Sequence, residues 1–144
     1  MSQIKFVSRL CTACKACEMG CMERHSTSKV FPDFVKEQPP LVPRIRVIDK
    51  SGNLLALKCL HCKSPKCMEA CEEDAITKVD GKVILDVEKC TGCWLCVDAC
   101  TFKSIQKDEE RKHAVKCDFC RGYDEPACVS SCPTEALTLV EIEK

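Results

Sequence analysis

The chain has 144 residues, 16 of them cysteine, a share far outside ordinary usage. Formal net charge is zero, with 22 basic and 22 acidic residues, which argues against nucleic acid as the main partner. Only 5% of residues are aromatic, and many of the 45% counted as hydrophobic are the cysteines themselves, so covalent or metal staples must supplement the core.

In chain order, Met1 to Leu10 alternates polar and apolar residues around Lys5 and Arg9. It carries no continuous apolar run of leader type, and no later segment reaches membrane-spanning length. The expectation is a cytoplasmic chain, where clustered thiols bind metal more often than they pair. The first cysteine group follows: Cys11, Cys14, Cys17 and Cys21. Phe31 to Pro43 holds Pro32, Pro39, Pro40 and Pro43 without clear period; it reads as a loop lying over the fold, with an interaction segment as the alternative. Arg44–Ile48 and Leu54–Lys58 alternate as a hairpin around Lys50-Ser51-Gly52-Asn53.

The second group is Cys59, Cys62, Cys67 and Cys71. Ile76–Val79 and Lys82–Leu85 then flank Asp80-Gly81, the strongest short hairpin signal in the sequence. The third group is Cys90, Cys93, Cys96 and Cys100. A looser hairpin joins Ser104–Lys107 to His113–Lys116, before the fourth group, Cys117, Cys120, Cys128 and Cys132, and a last strand over Leu137–Ile142. Residues around each fourth cysteine suit a single helical turn.

Each group begins C-x-x-C and ends with a cysteine four residues after the third, an internal repeat that defines the architecture. Groups one and three have the C-x-x-C-x-x-C-x-x-x-C run of two-cluster bacterial ferredoxins. A cubane core needs one thiolate at each of four irons. Three can come from one loop wrapped around the core, while the fourth, on the start of a helix, points to a second cluster. Structural zinc usually takes cysteines in two pairs; three cysteines in one short loop overfill half such a site, so a zinc-stapled interaction module is the remote alternative. Spacing alone permits groups to pair as one with two and three with four, or otherwise. With sixteen thiolates on four [4Fe–4S] cores of roughly +2 each, the loaded chain carries a charge of about −8. Lys15, Lys58, Lys63, Lys66, Lys89 and Lys116 sit near cysteines. They read mostly as solvated surface, with a role in offsetting cluster charge and docking an acidic partner as the functional alternative.

The Cys-x-His-Cys-x-x-Pro-x-Cys of group two, with Lys116-Cys117-Asp118-Phe119-Cys120 and Pro126-Ala127-Cys128-Val129 through Cys132-Pro133-Thr134, resembles the four-cluster iron–sulfur subunits related to the dimethyl sulfoxide reductase electron-transfer subunit. Similar subunits serve formate dehydrogenases, hydrogenases, carbon monoxide dehydrogenase and tungsten aldehyde oxidoreductases in anaerobic metabolism. Proline follows only Cys132; Cys21, Cys71 and Cys100 precede Met22, Glu72 and Thr101.

The resemblance implies an α+β fold of two interlocked bacterial-ferredoxin-like units with short hairpins, short helices and four cubane clusters. The inner unit, about residues 55–107, nests within an outer unit of residues 1–30 plus 113–144. It implies the ligand sets Cys11, Cys14, Cys17 and Cys132 for cluster one; Cys21, Cys117, Cys120 and Cys128 for cluster two; Cys59, Cys62, Cys67 and Cys100 for cluster three; Cys71, Cys90, Cys93 and Cys96 for cluster four. The implied function is an electron-transfer subunit with a large catalytic redox partner, holding tungsten or molybdenum and acting on aldehydes or formate, with a flavin subunit as a further partner. Alternatives are a hydrogenase or carbon monoxide dehydrogenase subunit, a diffusible polyferredoxin, and self-association into a filament. The compact length points away from a quinone-linked membrane complex and from direct membrane insertion.

Among other residues, Trp94 reads as an apolar lid over the group-three loop, and His61 as a packing or hydrogen-bonding residue. His25 and His113 read as surface. No nucleophile–base pair, Gly-rich phosphate loop or carboxylate dyad is present, so no catalytic residue is expected.

Overall fold

A computed structural model describes residues 2–142. Its elements are short, in keeping with a chain that returns to a cysteine loop every few residues. The strands are β1 (Ser2–Phe6), β2 (Arg46–Lys50), β3 (Asn53–Leu57), β4 (Ile76–Val79), β5 (Lys82–Leu85), β6 (Gln106–Asp108), β7 (His113–Val115) and β8 (Leu137–Glu141). The helices are α1 (Ala16–Arg24), α2 (Lys66–Ala70), α3 (Leu95–Ala99) and α4 (Ala127–Ser131), with 3-10 turns at Ser8–Leu10 and Asp33–Lys36.

All strands pair antiparallel in twos: β2 with β3, β4 with β5, β6 with β7, and β1 with β8. The β4–β5 hairpin has the bounds read from the sequence. Asp80 and Gly81 take φ of 51° and 79°, the left-handed pair that lets a two-residue loop match strand twist. Ser51 and Gly52 close β2–β3 the same way, at 53° and 87°. Against the expected bounds, the first strand lies two residues later and the second one residue earlier.

β1 falls in the stretch read as alternating polar and apolar residues. It forms a strand because β8 offers it an edge, with Ile4 opposite Leu139 and Phe6 opposite Leu137. Ile4 and Leu137 are buried.

Two apolar cores result. One gathers Ile4, Ile45, Val47 and Leu137 around Cys17, Cys21 and Cys128; the other gathers Ile76, Val83, Ile105 and Ala114 around Cys67 and Cys96. Leu54 and Ala56 of β3 pack on the first core, and Ala114 of β7 belongs to the second. Across the first core α1 packs on α4, and across the second α2 packs on α3. The α1–α4 approach is close enough that a Cβ on Gly20 would lie 2.1 Å from Ser131 Oγ and 3.2 Å from the Ala127 carbonyl oxygen.

The proline-rich stretch lies over the body of the protein. Phe34 is buried, Gln106 Nε2 donates to Pro43 O at 2.6 Å, and Arg111 donates to Pro39 O and Pro40 O at 2.6 and 3.0 Å. Val30, Phe31 and Val35 remain exposed. Among the described residues, no helix is long and apolar enough to cross a membrane.

Candidate metal centres

The four C-x-x-C turns share one backbone device. In each, the residue before the second cysteine takes a positive φ: Ala13 at 56°, His61 at 48°, Gly92 at 75° and Phe119 at 61°. The reversal folds the loop inward and turns peptide N–H groups toward sulfur. Ala13, His61 and Phe119 donate to Cys11, Cys59 and Cys117 Sγ at 3.4, 3.3 and 3.3 Å. Three of the four residues carry a Cβ, so the conformation is held against a steric cost, as such strain usually is at functional sites. At the fourth, a Cβ on Gly92 would also meet Lys112 O at 2.8 Å.

The helices set the remaining cysteines. Cys67, Cys96 and Cys128 lie on α2, α3 and α4, and Cys71, Cys100 and Cys132 are the extended residues that end those helices. The fourth cysteine therefore leaves the helix in a different direction from the third. Group one differs: α1 runs nine residues and holds both Cys17 and Cys21.

All sixteen cysteines are free thiols. One cleft is lined by Cys11, Cys14, Cys17 and Cys132. A second, of about 160 Å³, is lined by Cys59, Cys62, Cys67 and Cys100. A third is lined by Cys71, Cys90, Cys93 and Cys96. Cys117, Cys21, Cys120 and Cys17 all lie close enough to Cys128 to raise it electrostatically.

Burial pushes the Cys17, Cys21 and Cys96 thiols up to about 11 and Cys117 up to about 12; Cys128 is raised also. Neighbouring sulfurs raise each of them further. Cys100 and Cys132 run the other way: burial opposes ionisation, but hydrogen bonds from Ser104 and Thr134 outweigh it. Sulfurs crowded in clefts, several of them offered N–H donors, suit cationic metal centres that hold thiols deprotonated. Further donors fit the same pattern, with Arg44 N to Cys21 Sγ at 3.2 Å, Ala127 N to Cys120 Sγ at 3.3 Å and Ala114 N to Cys90 Sγ at 3.4 Å. The donor set is thus all thiolate, in fours, with amide donors to sulfur, which fits iron–sulfur cores.

Trp94 caps α3 with a left-handed φ of 67° and lines the cleft of Cys90, Cys93 and Cys96. Lys107 Nζ stands 5.7 Å from its ring centroid. His61 is buried. Its Nδ1 accepts from Val83 N–H at 2.9 Å, its ring meets Phe119 edge-on, and burial with Lys116, Lys82 and Lys58 nearby lowers it to about 3. His25 is not the surface residue its sequence context indicates. It lies half-buried, Nε2 3.9 Å from Cys120 Sγ and 3.7 Å from Asp118 Oδ1, because α1 carries it against the group-four loop. His113 is half-buried, with Nδ1 2.9 Å from Ala114 O. Lys82, with no cysteine beside it in sequence, stands 3.7 Å over the Phe119 ring and faces Cys59 and Cys117. Only the pairing of β5 with β4 brings it there.

Residues 51–142 match the 4Fe-4S dicluster domain family. Over 144 residues the chain is 35% identical to an uncharacterized ferredoxin of Methanocaldococcus jannaschii, covering all of this chain and 75% of that one. It is 31% identical over 160 residues to the B subunit of the anaerobic dimethyl sulfoxide reductase of Escherichia coli, covering 95% of this chain and 72% of the relative. It is 36% identical over 141 residues to Escherichia coli AegA, of which it spans only 21%. Among solved structures, the active site complex BamBC of benzoyl coenzyme A reductase contains a similar fold. The TM-score is 0.56 at 21% identity, over 97% of this chain and 76% of that one.

Proposed function

Because the chain belongs to the 4Fe-4S dicluster domain family, we propose that it is the electron-transfer subunit of a larger oxidoreductase, holding four [4Fe–4S] clusters. The observation that carries this reading is that three separate clefts are each lined by four cysteines, all sixteen cysteines of the chain being free. The ligand sets are Cys11, Cys14, Cys17 and Cys132; Cys21, Cys117, Cys120 and Cys128; Cys59, Cys62, Cys67 and Cys100; and Cys71, Cys90, Cys93 and Cys96. Iron–sulfur cores held there would supply one-electron oxidation and reduction.

The chain's own residues supply the rest. Sulfurs of different sets lie within electrostatic reach of one another, Cys17 of Cys128, Cys59 of Cys117 and Cys67 of Cys96, which supports a row running from the first cleft to the third. Amide donors and Ser104 stabilise negative sulfur, while Ile45, Val47, Val83 and Ile105 exclude water. Cys14 and Cys93 are exposed, one at each end of the row, where electrons would enter and leave. No nucleophile–base pair, carboxylate dyad or phosphate loop was found in the sequence, so the reaction on substrate belongs to a partner.

The proposed partner is a large subunit with tungsten or molybdenum acting on aldehydes or formate, with a flavin subunit as a further member. A relative named as a subunit of dimethyl sulfoxide reductase supports an oxidoreductase assembly. The inner unit, about residues 55–107, and the outer unit, residues 1–30 with 113–144, remain the proposed organisation; the separate cores around Cys67 and Cys17 support it.

Purification of the native complex tests the subunit reading. A large redox enzyme is expected to accompany this chain; if the chain runs alone, it is a diffusible polyferredoxin. Metal analysis of the purified chain should give about sixteen iron and sixteen sulfide. About four zinc and no iron would end the iron–sulfur reading.

A further inference from the structure

Lys116 follows β7 and is only 3% exposed. Its Nζ lies 2.9 Å from Cys59 Sγ, 2.5 Å from Val83 O and 3.3 Å from Cys117 O. Carbonyl oxygens accept only, and a ligand thiolate can only accept as well. Three acceptors therefore require three N–H donors, which an ammonium has and a neutral amine lacks. Among the described residues, none of the ion pairs formed with Asp or Glu involves Lys116. A buried cation without a carboxylate needs another counter-ion. The sulfur in contact with it is Cys59 Sγ; of Cys117, whose sulfur belongs to a second set, it holds the carbonyl oxygen.

Cys59 lies in the cleft with Cys62, Cys67 and Cys100, which Lys116 also lines. Cys117, the next residue in the chain, belongs with Cys21, Cys120 and Cys128, and Cys59 and Lys116 both act on it electrostatically. Lys116 therefore stands where the two apolar cores meet. Val83, whose carbonyl it holds, is buried in one core, while Phe119, two residues past Cys117, packs on the other. Lys58 and Lys82 face Cys59 and Cys117 too, but both are only half-buried, and water screens them more. His61, beside them, is held neutral.

The geometry points to Lys116 as the residue that sets the reduction potential at the junction between the two halves of the row, its ammonium serving as shared counter-ion to the thiolate sets of Cys59 and Cys117. This rests on the ligand sets proposed above. An added electron makes either set more negative, and a fixed buried positive charge favours that state. Lys116 makes and breaks no bond; with clusters held at both sets, a single electron would pass from the set on one side to the set on the other, and the total charge would be conserved. Without the ammonium, the two sets at the junction would become harder to reduce.

The test uses the full chain as purified with its clusters, in wild-type, Lys116→Met, Lys116→Gln and Lys116→Arg forms. Iron and sulfide are counted first; a wild-type chain without about sixteen of each defeats the cluster reading itself and leaves the variants nothing to report. A mediated redox titration followed by electron paramagnetic resonance then gives the potentials. One or two of the four transitions should move to lower potential in the Met and Gln variants. The shift should reach at least tenfold in the oxidised-to-reduced ratio, which is about 59 mV for one electron. The Arg variant should stay near wild type, and the remaining transitions should not move. Unchanged potentials in a fully loaded Met or Gln variant overturn the assignment, as does an equal shift of all four transitions. Loss of iron from both neutral variants, with retention in the Arg variant, would make Lys116 a structural counter-ion and overturn it also.

Discussion

Gly20 sits on α1 where that helix crosses α4, and replacing it by alanine tests the helix contact that holds the two ends of the chain together. The new Cβ would lie 2.1 Å from Ser131 Oγ, 2.9 Å from Ser131 Cβ and 3.2 Å from Ala127 O. Rotating the serine hydroxyl relieves only the first contact, so the helices must part. Overpacking of this kind costs about 1–3 kcal/mol. Alanine's better helix propensity returns about 0.5–1 kcal/mol, leaving a net loss of roughly 1–2 kcal/mol. Since α1 carries Cys17 and Cys21 and α4 carries Cys128, the loss should appear as faster release of iron. Unfolding of a metal-loaded chain is irreversible, so the assay is the half-life of visible absorbance at fixed temperature. Gly20→Ala should shorten it by about 5–30-fold. In a Ser131→Gly background both serine contacts vanish and only the carbonyl at 3.2 Å remains. There the propensity term dominates, and alanine should lengthen the half-life. If alanine shortens the half-life equally in both backgrounds, the contact between Gly20 and Ser131 does not limit the packing of α1 on α4.

Cys100→Ser should disturb the resonance of the cluster proposed at Cys59, Cys62 and Cys67 while sparing that proposed at Cys90, Cys93 and Cys96, and Cys71→Ser should do the reverse. Spectra in which each substitution affects the cluster of its own sequence group would show that the groups do not exchange their fourth ligands. Cys14 and Cys93 are exposed, whereas Cys67 and Cys120 are buried; ferricyanide should therefore destroy the two end clusters before the two central ones, as followed by freeze-quenched resonance spectra. Simultaneous loss of all four would contradict the proposed order. Arg111→Ala removes the donors to Pro39 O and Pro40 O and the 2.9 Å pair with Asp108. Limited proteolysis near residues 37–43 should then speed up by about 5–30-fold, the equivalent of losing 1–2 kcal/mol. Iron content should hold, because no cysteine lies in that segment.

The cysteine loops were legible because their information is local. Cysteine spacing dictates how a loop can wrap a core, and Asp80-Gly81 dictates a two-residue turn whatever surrounds it; the turn forms at those two residues. The helical turns near the fourth cysteines were also visible, although α2, α3 and α4 end at those cysteines, where the chain becomes extended. Burial of individual side chains was less legible. Lys116 and Lys89 both stand beside a cysteine in sequence, yet the first is buried and the second exposed. His25 and His113 looked alike, and only His25 reaches a cysteine sulfur.

Such differences depend on which distant segment arrives. β1 becomes a strand because β8, more than 130 residues away, presents the matching edge. Lys116 becomes a buried cation because Val83 and Cys59 converge on it from other elements. Local spacing specifies each cysteine loop, since a loop's reach is fixed by covalent geometry. The surroundings of each loop were decided only when the four loops packed together, because charge burial and strand pairing belong to pairs of segments and not to either one alone.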